Sequence, residues 1–129
     1  MTKISKIFLV IASILGGLSV VADSFAAHAL KDKLSQYSLD IFQTGANIQM
    51  YHSLALLMVS FLLTMEDPPS SSMVVSGYAF IAGIAIFSGS LYVLSITGIK
   101  WLGAITPIGG IALIVGWSCI AISGWNLKL

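Results

Sequence analysis

Charged residues divide the chain into four long apolar stretches. None of Asp, Glu, Lys or Arg occurs in the runs Ile7 to Ala22, Ile41 to Met65, Pro68 to Ile99 and Trp101 to Leu127. A transmembrane helix needs about 20 apolar residues to cross a hydrocarbon core roughly 30 Å thick, and each run can hold one. The pattern predicts an all-α membrane protein with four transmembrane helices, at approximately 5–24, 46–65, 73–97 and 103–123.

A second helical pattern precedes the second apolar run. Leu34 and Ile41 begin a seven-residue spacing that continues into the run, and polar side chains lie between them, as in an amphipathic helix. A single helix from Ser35 to Met65 would be about 46 Å long at roughly 1.5 Å per residue, which exceeds the hydrocarbon thickness. We therefore predict an interfacial amphipathic helix over 34–46 that leads into the second span, with a bend at Gly45.

Residues that start or stop helices mark the connections between the spans. The segment 66–72, EDPPSSS, combines two prolines with three serines and predicts a loop. Gly98 is placed as a C-terminal cap of the third span, and Thr106 followed by Pro107 predicts an N-cap and a first helical residue for the fourth. The chain is thus predicted to form one transmembrane helical domain over residues 1–129.

Composition supports a membrane protein and argues against two classes of partner. The chain is 57% hydrophobic and 9% charged, with a mean hydropathy of +0.99, whereas an ordinary soluble domain has roughly 25% charged residues. A net charge of +1 provides no basic footprint for nucleic acid and no polybasic patch for anionic lipid. We expect the lipid bilayer as the surroundings and no nucleic acid as a partner.

The N-terminal run leaves two questions open. Lys3 and Lys6, the apolar run and the segment FAAHA together imitate a signal peptide, so cleavage is an alternative to four spans. With four spans, three lysines stand on each side of the membrane: Lys3, Lys6 and Lys128 against Lys31, Lys33 and Lys100. Because the first helix usually sets the orientation, we expect cytoplasmic termini, in a bacterial-type cell membrane or an internal membrane.

Polar side chains near or within the spans are the candidates for function, because they are costly at membrane depth. Seven of them are predicted to form a ligand site: Asp23, His28, Asn47, Gln49, Tyr51, His52 and Tyr92. His52 can carry a proton or bind a metal or haem, or it can be a structural histidine bonded to a neighbouring helix. With two histidines in the chain and no cysteine or carboxylate at ligand spacing, we expect no metal and no cofactor.

Asp23 and a polar stripe in the third span each have two interpretations. Asp23 is either a proton-accepting carboxylate or a helix-end residue paired with His28 or Lys31. Ser88 and Tyr92 share one helix face, which provides either interhelical hydrogen bonds or a substrate path. No nucleophile motif accompanies these residues, so we expect no catalytic residue and no enzymatic activity.

Small residues and tryptophans predict how the helices pack and where they end. In lipid, small side chains let helices approach closely. We expect helix packing at seven glycines: Gly16, Gly17, Gly83, Gly89, Gly109, Gly110 and Gly116. Tryptophans are enriched at membrane interfaces, and the sequence suggests an aromatic belt at each end, with Trp101 at one and Trp117 and Trp125 toward the other.

Several segments resemble one known family. These are AHALK (27–31), TGANIQMYHSLALL (44–57), FSGSLYVLSITGIKWLGAITPIGG (87–110) and the following GW (116–117). Together they closely resemble domain of unknown function family 423, over nearly the whole chain. The resemblance implies a four-helix integral membrane protein and brings no activity, cofactor or catalytic residue. Relatives tend to show Gly-Ala-Phe-Gly-Ala-His where this chain has DSFAAH, Asp23 to His28, which replaces two glycines and adds a carboxylate.

Packing signals outnumber catalytic ones, which favours one function class. We expect a non-enzymatic accessory or interaction subunit of a membrane protein complex. It would pack against a membrane-protein partner or another copy of itself, and hold a lipid or amphiphile near His28, Tyr51 and His52.

The alternative is a small transporter or channel. Its polar path would pass through His52, Asp23, Ser88 and Tyr92. Few ionisable groups occur in the apolar runs and no inverted repeat is recognisable, which argues against this class. A membrane enzyme, the third class, would have only Asp23 and His52 in its favour.

Overall fold

Four long helices make up most of the computed structural model, which describes residues 1–127. They are α1 Lys3–Phe25, α2 Gln36–Leu63, α3 Ser71–Thr97 and α4 Thr106–Trp125. A π-helical turn, Ala26–Leu30, extends α1, and a 3₁₀ turn, Lys100–Ala104, precedes α4. Four helices are long and apolar enough to cross a membrane and residues 1–127 contain no strand, which confirms the all-α fold with four transmembrane helices. Lys128, one of the lysines in the orientation argument, lies outside the described residues.

Short connections give the bundle an up-and-down order. Each helix packs mainly against the next one in the chain, and helices joined by short loops run antiparallel. One end of the bundle holds the start of α1, the loop between α2 and α3, and the end of α4; we call it the terminal end. The other end holds the α1–α2 connection and the 3₁₀ turn; we call it the far end.

Hydroxyl side chains and one glycine set most of the helix limits. Three helices begin with a hydroxyl that accepts a backbone N–H three residues on, at 3.1 to 3.3 Å: Thr2, Ser35 and Ser70. Gly98 ends α3 with a φ of 72°, which confirms the predicted cap. The cap predicted at Thr106 is wrong. The 3₁₀ turn leads directly into α4, Thr106 is its first residue, and the Thr106 hydroxyl instead lies 2.6 Å from the Ser90 hydroxyl.

Helix α2 continues through the boundary between the amphipathic segment and the second span. Its 28 residues extend about 42 Å at roughly 1.5 Å per residue. Gly45 lies inside this continuous helix, where its carbonyl accepts the Ser88 hydroxyl of α3 at 2.7 Å. The position of residues 34–46 at the membrane interface stays a prediction.

The core lies mainly between α1, α2 and α3. The largest fully buried side chains are Phe8, Phe80, Leu56, Leu63, Met73 and Val59. Half of the most apolar 18-residue window of α2 is buried inside the bundle, against 17% for α4. The enclosed face of α2 carries four buried polar residues, Gln49, His52, Ser53 and Ser60, and the other three helices add buried serines.

Candidate functional site: the polar interior of the bundle

Gln49 joins three helices from inside the bundle. Its side chain is 5% exposed. The Nε2 group donates to the carbonyl of Leu15 in α1 at 2.7 Å, and Oε1 accepts the Tyr92 hydroxyl of α3 at 2.6 Å. The amide of one α2 residue therefore holds both neighbouring helices, and unsatisfied polar groups at this depth would be costly.

His52 links α2 to α4 as a neutral imidazole. The Trp117 indole Nε1–H donates to His52 Nε2 at 3.0 Å, and an indole N–H can only donate. Nε2 is therefore the acceptor, which leaves the proton on Nδ1, 2.8 Å from the Ile48 carbonyl. With both nitrogens engaged, the ring has no lone pair left for a metal or haem. This geometry favours the structural histidine, packed between Phe80 and Trp117 at centroid distances of 5.7 and 5.8 Å.

Trp117 lies inside α4 rather than at its end. It is the twelfth of 20 residues in the helix. An interfacial tryptophan directs its N–H to water or headgroups, whereas this indole N–H is used by His52. Trp117, which is 49% exposed, thus uses its indole N–H for a contact with α2.

Asp23 contacts α2 at the far end of the α1–α2 seam. Its carboxylate accepts the amide N–H of Gln43, which sits opposite it once α1 and α2 form an antiparallel hairpin. The pairing expected from sequence, with His28 or Lys31, is wrong. His28 lies in the π-helical turn and Lys31 just after it, and both side chains are exposed.

Serine pairs join helices in the remaining parts of the interior. At the terminal end, Ser5 Oγ donates to the Ser60 carbonyl at 2.7 Å and Ser60 Oγ donates to the Ser5 carbonyl at 2.8 Å. Both side chains are at most 1% exposed. This pair of hydrogen bonds was not predicted from the sequence, because 55 positions separate the partners. The one available signal was Ser60 within the second apolar run, since Ser5 precedes the first run and stands between Lys3 and Lys6.

Three of the seven predicted packing glycines lie where α3 and α4 approach closely. A Cβ added at Gly109 would lie 2.5 Å from the backbone N of Phe87, and one at Gly116 would lie 2.6 Å from the Phe80 ring. At Gly83 it would overlap the Leu113 side chain. These positions have no room for a side chain: α4 meets the α3 backbone at Gly109, and the Leu113 and Phe80 side chains fill the space at Gly83 and Gly116.

The other predicted packing glycines behave differently. A Cβ at Gly16 or Gly110 would make ordinary contacts at 3.8 Å, and none would meet anything within 4 Å at Gly17 or Gly89. The predicted role of Gly17 and Gly89 therefore has no counterpart within this chain. Gly77, which was not predicted, is fully covered by the Phe8 ring.

The sequence of this chain matches a known protein family. A family model described as "Protein of unknown function (DUF423)" matches residues 22–110. The chain belongs to the DUF423 family. This DUF423 chain is 42% identical over 120 residues to the UPF0382 membrane protein YwdK of Bacillus subtilis, covering 92% of the chain and 95% of the relative.

Staphylococcal relatives agree with this membership. The UPF0382 membrane proteins of Staphylococcus aureus (strain bovine RF122) and Staphylococcus epidermidis (strain ATCC 12228) are 38% and 37% identical over 118 residues, covering 92% of this chain and 94% of each relative. No solved structure matches. Together with the four candidate spans, these names identify a multi-pass integral membrane protein of an uncharacterised family and assign no activity.

In this DUF423 chain the seven predicted ligand residues do not converge on one site. Gln49, His52 and Tyr92 lie in the interior, each bonded to another helix, and Asp23 lies on the α1–α2 seam. The other three, His28, Asn47 and Tyr51, are exposed on outer surfaces. Tyr51 is 58% exposed although it adjoins His52, because successive helical residues point about 100° apart. Among residues 1–127, no group of three or more His, Cys, Asp or Glu could hold a metal.

Proposed function

We propose that this DUF423 protein is a non-enzymatic accessory subunit that packs against a membrane-protein partner through the outer face of α1. The partner is either another subunit or a second copy of the chain. The observation that carries the proposal is a contrast: Gln49, Tyr92 and His52 make hydrogen bonds between helices in the interior, whereas small and polar residues of α1 face outward and are uncovered.

The interior contacts support a fixed scaffold. His52, Ser88 and Tyr92 are three of the four residues that a polar transport path would use, the fourth being Asp23. Each of the three instead closes a seam between helices, through Trp117, the Gly45 carbonyl and Gln49. Interhelical hydrogen bonds of this kind hold membrane helices together, at about 0.6 kcal/mol each on average.

The outer face of α1 supports a partner helix. Ser13 is exposed and its hydroxyl bonds only back to the Leu9 carbonyl, while Gly17 has open space beside it. About two and three turns beyond Gly17, Ser24 and His28 line an open groove. Small residues four apart allow close helix contact, and polar side chains facing lipid are costly unless covered. A partner helix on this face would satisfy both conditions.

The test is native mass spectrometry of the protein gently solubilised from its own membrane. We expect wild type to retain a reproducible companion chain and Gly17→Leu to lose it, because leucine would hold the partner helix away. Gly124→Leu is the control, since Gly124 in α4 also has nothing within 4 Å. Both variants should fold normally.

Two results would contradict the proposal. One is a wild-type protein that is only ever monomeric, with no co-purifying subunit. The other is solute or ion flux across proteoliposomes that disappears in His52→Ala while the fold persists. That result would make the protein a small transporter, with the interior contacts acting as its path.

A further inference from the structure

We propose that the far end of the bundle binds an anionic phospholipid, in a cavity between α2, α3 and the 3₁₀ turn, with Lys100 contacting the lipid phosphate. This site is separate from the outer face of α1 and does not depend on the accessory-subunit proposal. It also lies apart from the residues that sequence analysis favoured for ligand binding.

The cavity has a volume of about 400 Å³ and is built by three elements. Its lining residues are Tyr37, Ser38, Ile41, Leu94, Gly98, Lys100 and Gly103. Two glycines keep it open: a Cβ at Gly98 would meet nothing within 4 Å, and one at Gly103 would meet only the Leu94 side chain at 3.9 Å. The space therefore exists because two positions around it carry no side chain.

The lining is arranged from polar to apolar. Tyr37 and Lys100 lie at the rim, near the start of α2 and just beyond the end of α3, and both are exposed. Ile41 is one turn further into α2 and Leu94 is one turn further into α3. An amphiphile with its head at the rim and a chain along Ile41 and Leu94 would follow this order. A soluble phosphate would use only the rim.

The charge of the lining favours an anionic head. Lys100 is the one charged residue among the lining residues, and the Tyr37 and Ser38 hydroxyls can donate hydrogen bonds beside it. Asp40, on the adjoining face of α2, accepts Gln36 Nε2 at 2.7 Å instead. Lysine binds phosphate as a compact point charge.

The attraction for an anionic lipid head is confined to this cavity and is not a property of the whole far end. The far end as a whole carries three lysines and three aspartates: Lys31, Lys33 and Lys100 with Asp23, Asp32 and Asp40. Such a balanced surface attracts anionic lipid weakly. A preference for anionic lipid that depends on Lys100, and not on the other lysines, is therefore the signature of the site.

The test compares lipid adducts by native mass spectrometry of the full chain, exchanged into micelles with equal amounts of phosphatidylglycerol and phosphatidylcholine of identical acyl chains. We expect wild type to retain phosphatidylglycerol preferentially, and Lys100→Gln to reduce that preference about fivefold, as expected for one lysine near a phosphate. Lys33→Gln is the matched control and should change little. Gly103→Leu, which fills the cavity, should remove the adduct without removing the lysine.

Thermal unfolding in the same micelles checks that each variant folds, because Lys100 also follows the C-terminus of α3, where a cation is favourable. Equal retention of the two lipids, or equal losses in Lys33→Gln and Lys100→Gln, would overturn the proposal. So would Lys100-dependent binding of inorganic phosphate without any retained phospholipid, since that would assign the site to a soluble phosphate.

Discussion

Two seams of this bundle are held together by different means. In the amide seam, Gln49 of α2 bonds to the Leu15 carbonyl of α1 and to Tyr92 of α3. In the glycine seam, α3 and α4 approach until there is no room for a side chain at Gly109 or Gly116. One seam depends on the directional hydrogen bonds of a side-chain amide and the other on close contact at positions without a side chain.

The comparison shows two solutions to the same problem. In a membrane the hydrophobic effect does not drive helices together, so packing and interhelical hydrogen bonds must do so. Side chains of the amide seam can rotate to accommodate a change. At Gly109 the nearest atoms belong to the Phe87 backbone, which cannot move without moving α3. We therefore expect the glycine seam to tolerate substitution less well than the amide seam.

The largest effect is expected from Gly109→Ala. The new methyl group would lie 2.5 Å from the Phe87 backbone N, so the free energy of unfolding should fall by about 3 kcal/mol, as in an overpacked core. Unfolding in mixed detergent micelles, followed by circular dichroism, measures it. Gly124→Ala in the same helix meets nothing within 4 Å and should be neutral or stabilising. Equal behaviour of the two variants would show that α3 and α4 are not in close contact at Gly109.

A smaller effect is expected from Gln49→Leu. The substitution keeps a side chain of similar size but leaves the Tyr92 hydroxyl and the Leu15 carbonyl without their partner. The free energy of unfolding should fall by about 2 kcal/mol. The control Gln36→Leu, at the start of the same helix, removes only an exposed bond to Asp40 and should cost less than about 0.5 kcal/mol. If the two losses are alike, the amide seam does not stabilise the bundle.

The smallest effect is expected from Trp117→Phe, which deletes the N–H donated to His52 while keeping an aromatic ring near Phe80. We expect a loss of about 0.6 kcal/mol in the same unfolding assay. The control is Trp125→Phe, because Trp125 is 90% exposed at the end of α4. A larger loss from the control than from Trp117→Phe would argue against the contact between α2 and α4.

The helices could be predicted from the sequence and their mutual contacts could not. A long run without charged residues indicates a segment that lies in lipid, so the four transmembrane helices follow directly from the four runs. Which face of each span meets which neighbour depends on the assembled bundle. Tyr51 and His52 are adjacent and equally plausible as ligands, yet one is exposed and the other is buried. Gly16 and Gly17 are also adjacent, yet a Cβ at Gly16 would lie 3.8 Å from Ser53 of α2 and one at Gly17 would meet nothing within 4 Å.

In the candidate site, too, the polar residues could be predicted from the sequence and their partners could not. Gln49, His52 and Tyr92 could be predicted as candidates because polar groups in apolar runs are costly. The sequence did not predict Trp117 as the partner of His52 or Gln43 as the partner of Asp23, because antiparallel packing brings together residues far apart in the chain. Lys100 was considered only for orientation, since a cavity that depends on two glycines in a turn has no pattern in the sequence.

The most direct test of the account is the coupling between Gln49 and Tyr92, measured as a double-mutant cycle. The free energies of unfolding of wild type, Gln49→Leu, Tyr92→Phe and the double variant are compared in one micelle system. If the interior polar residues hold the helices together, the coupling energy should be about 0.6 kcal/mol or more. Additive single effects, with no coupling, would show that the two side chains act independently and would contradict the view of the polar interior as a scaffold.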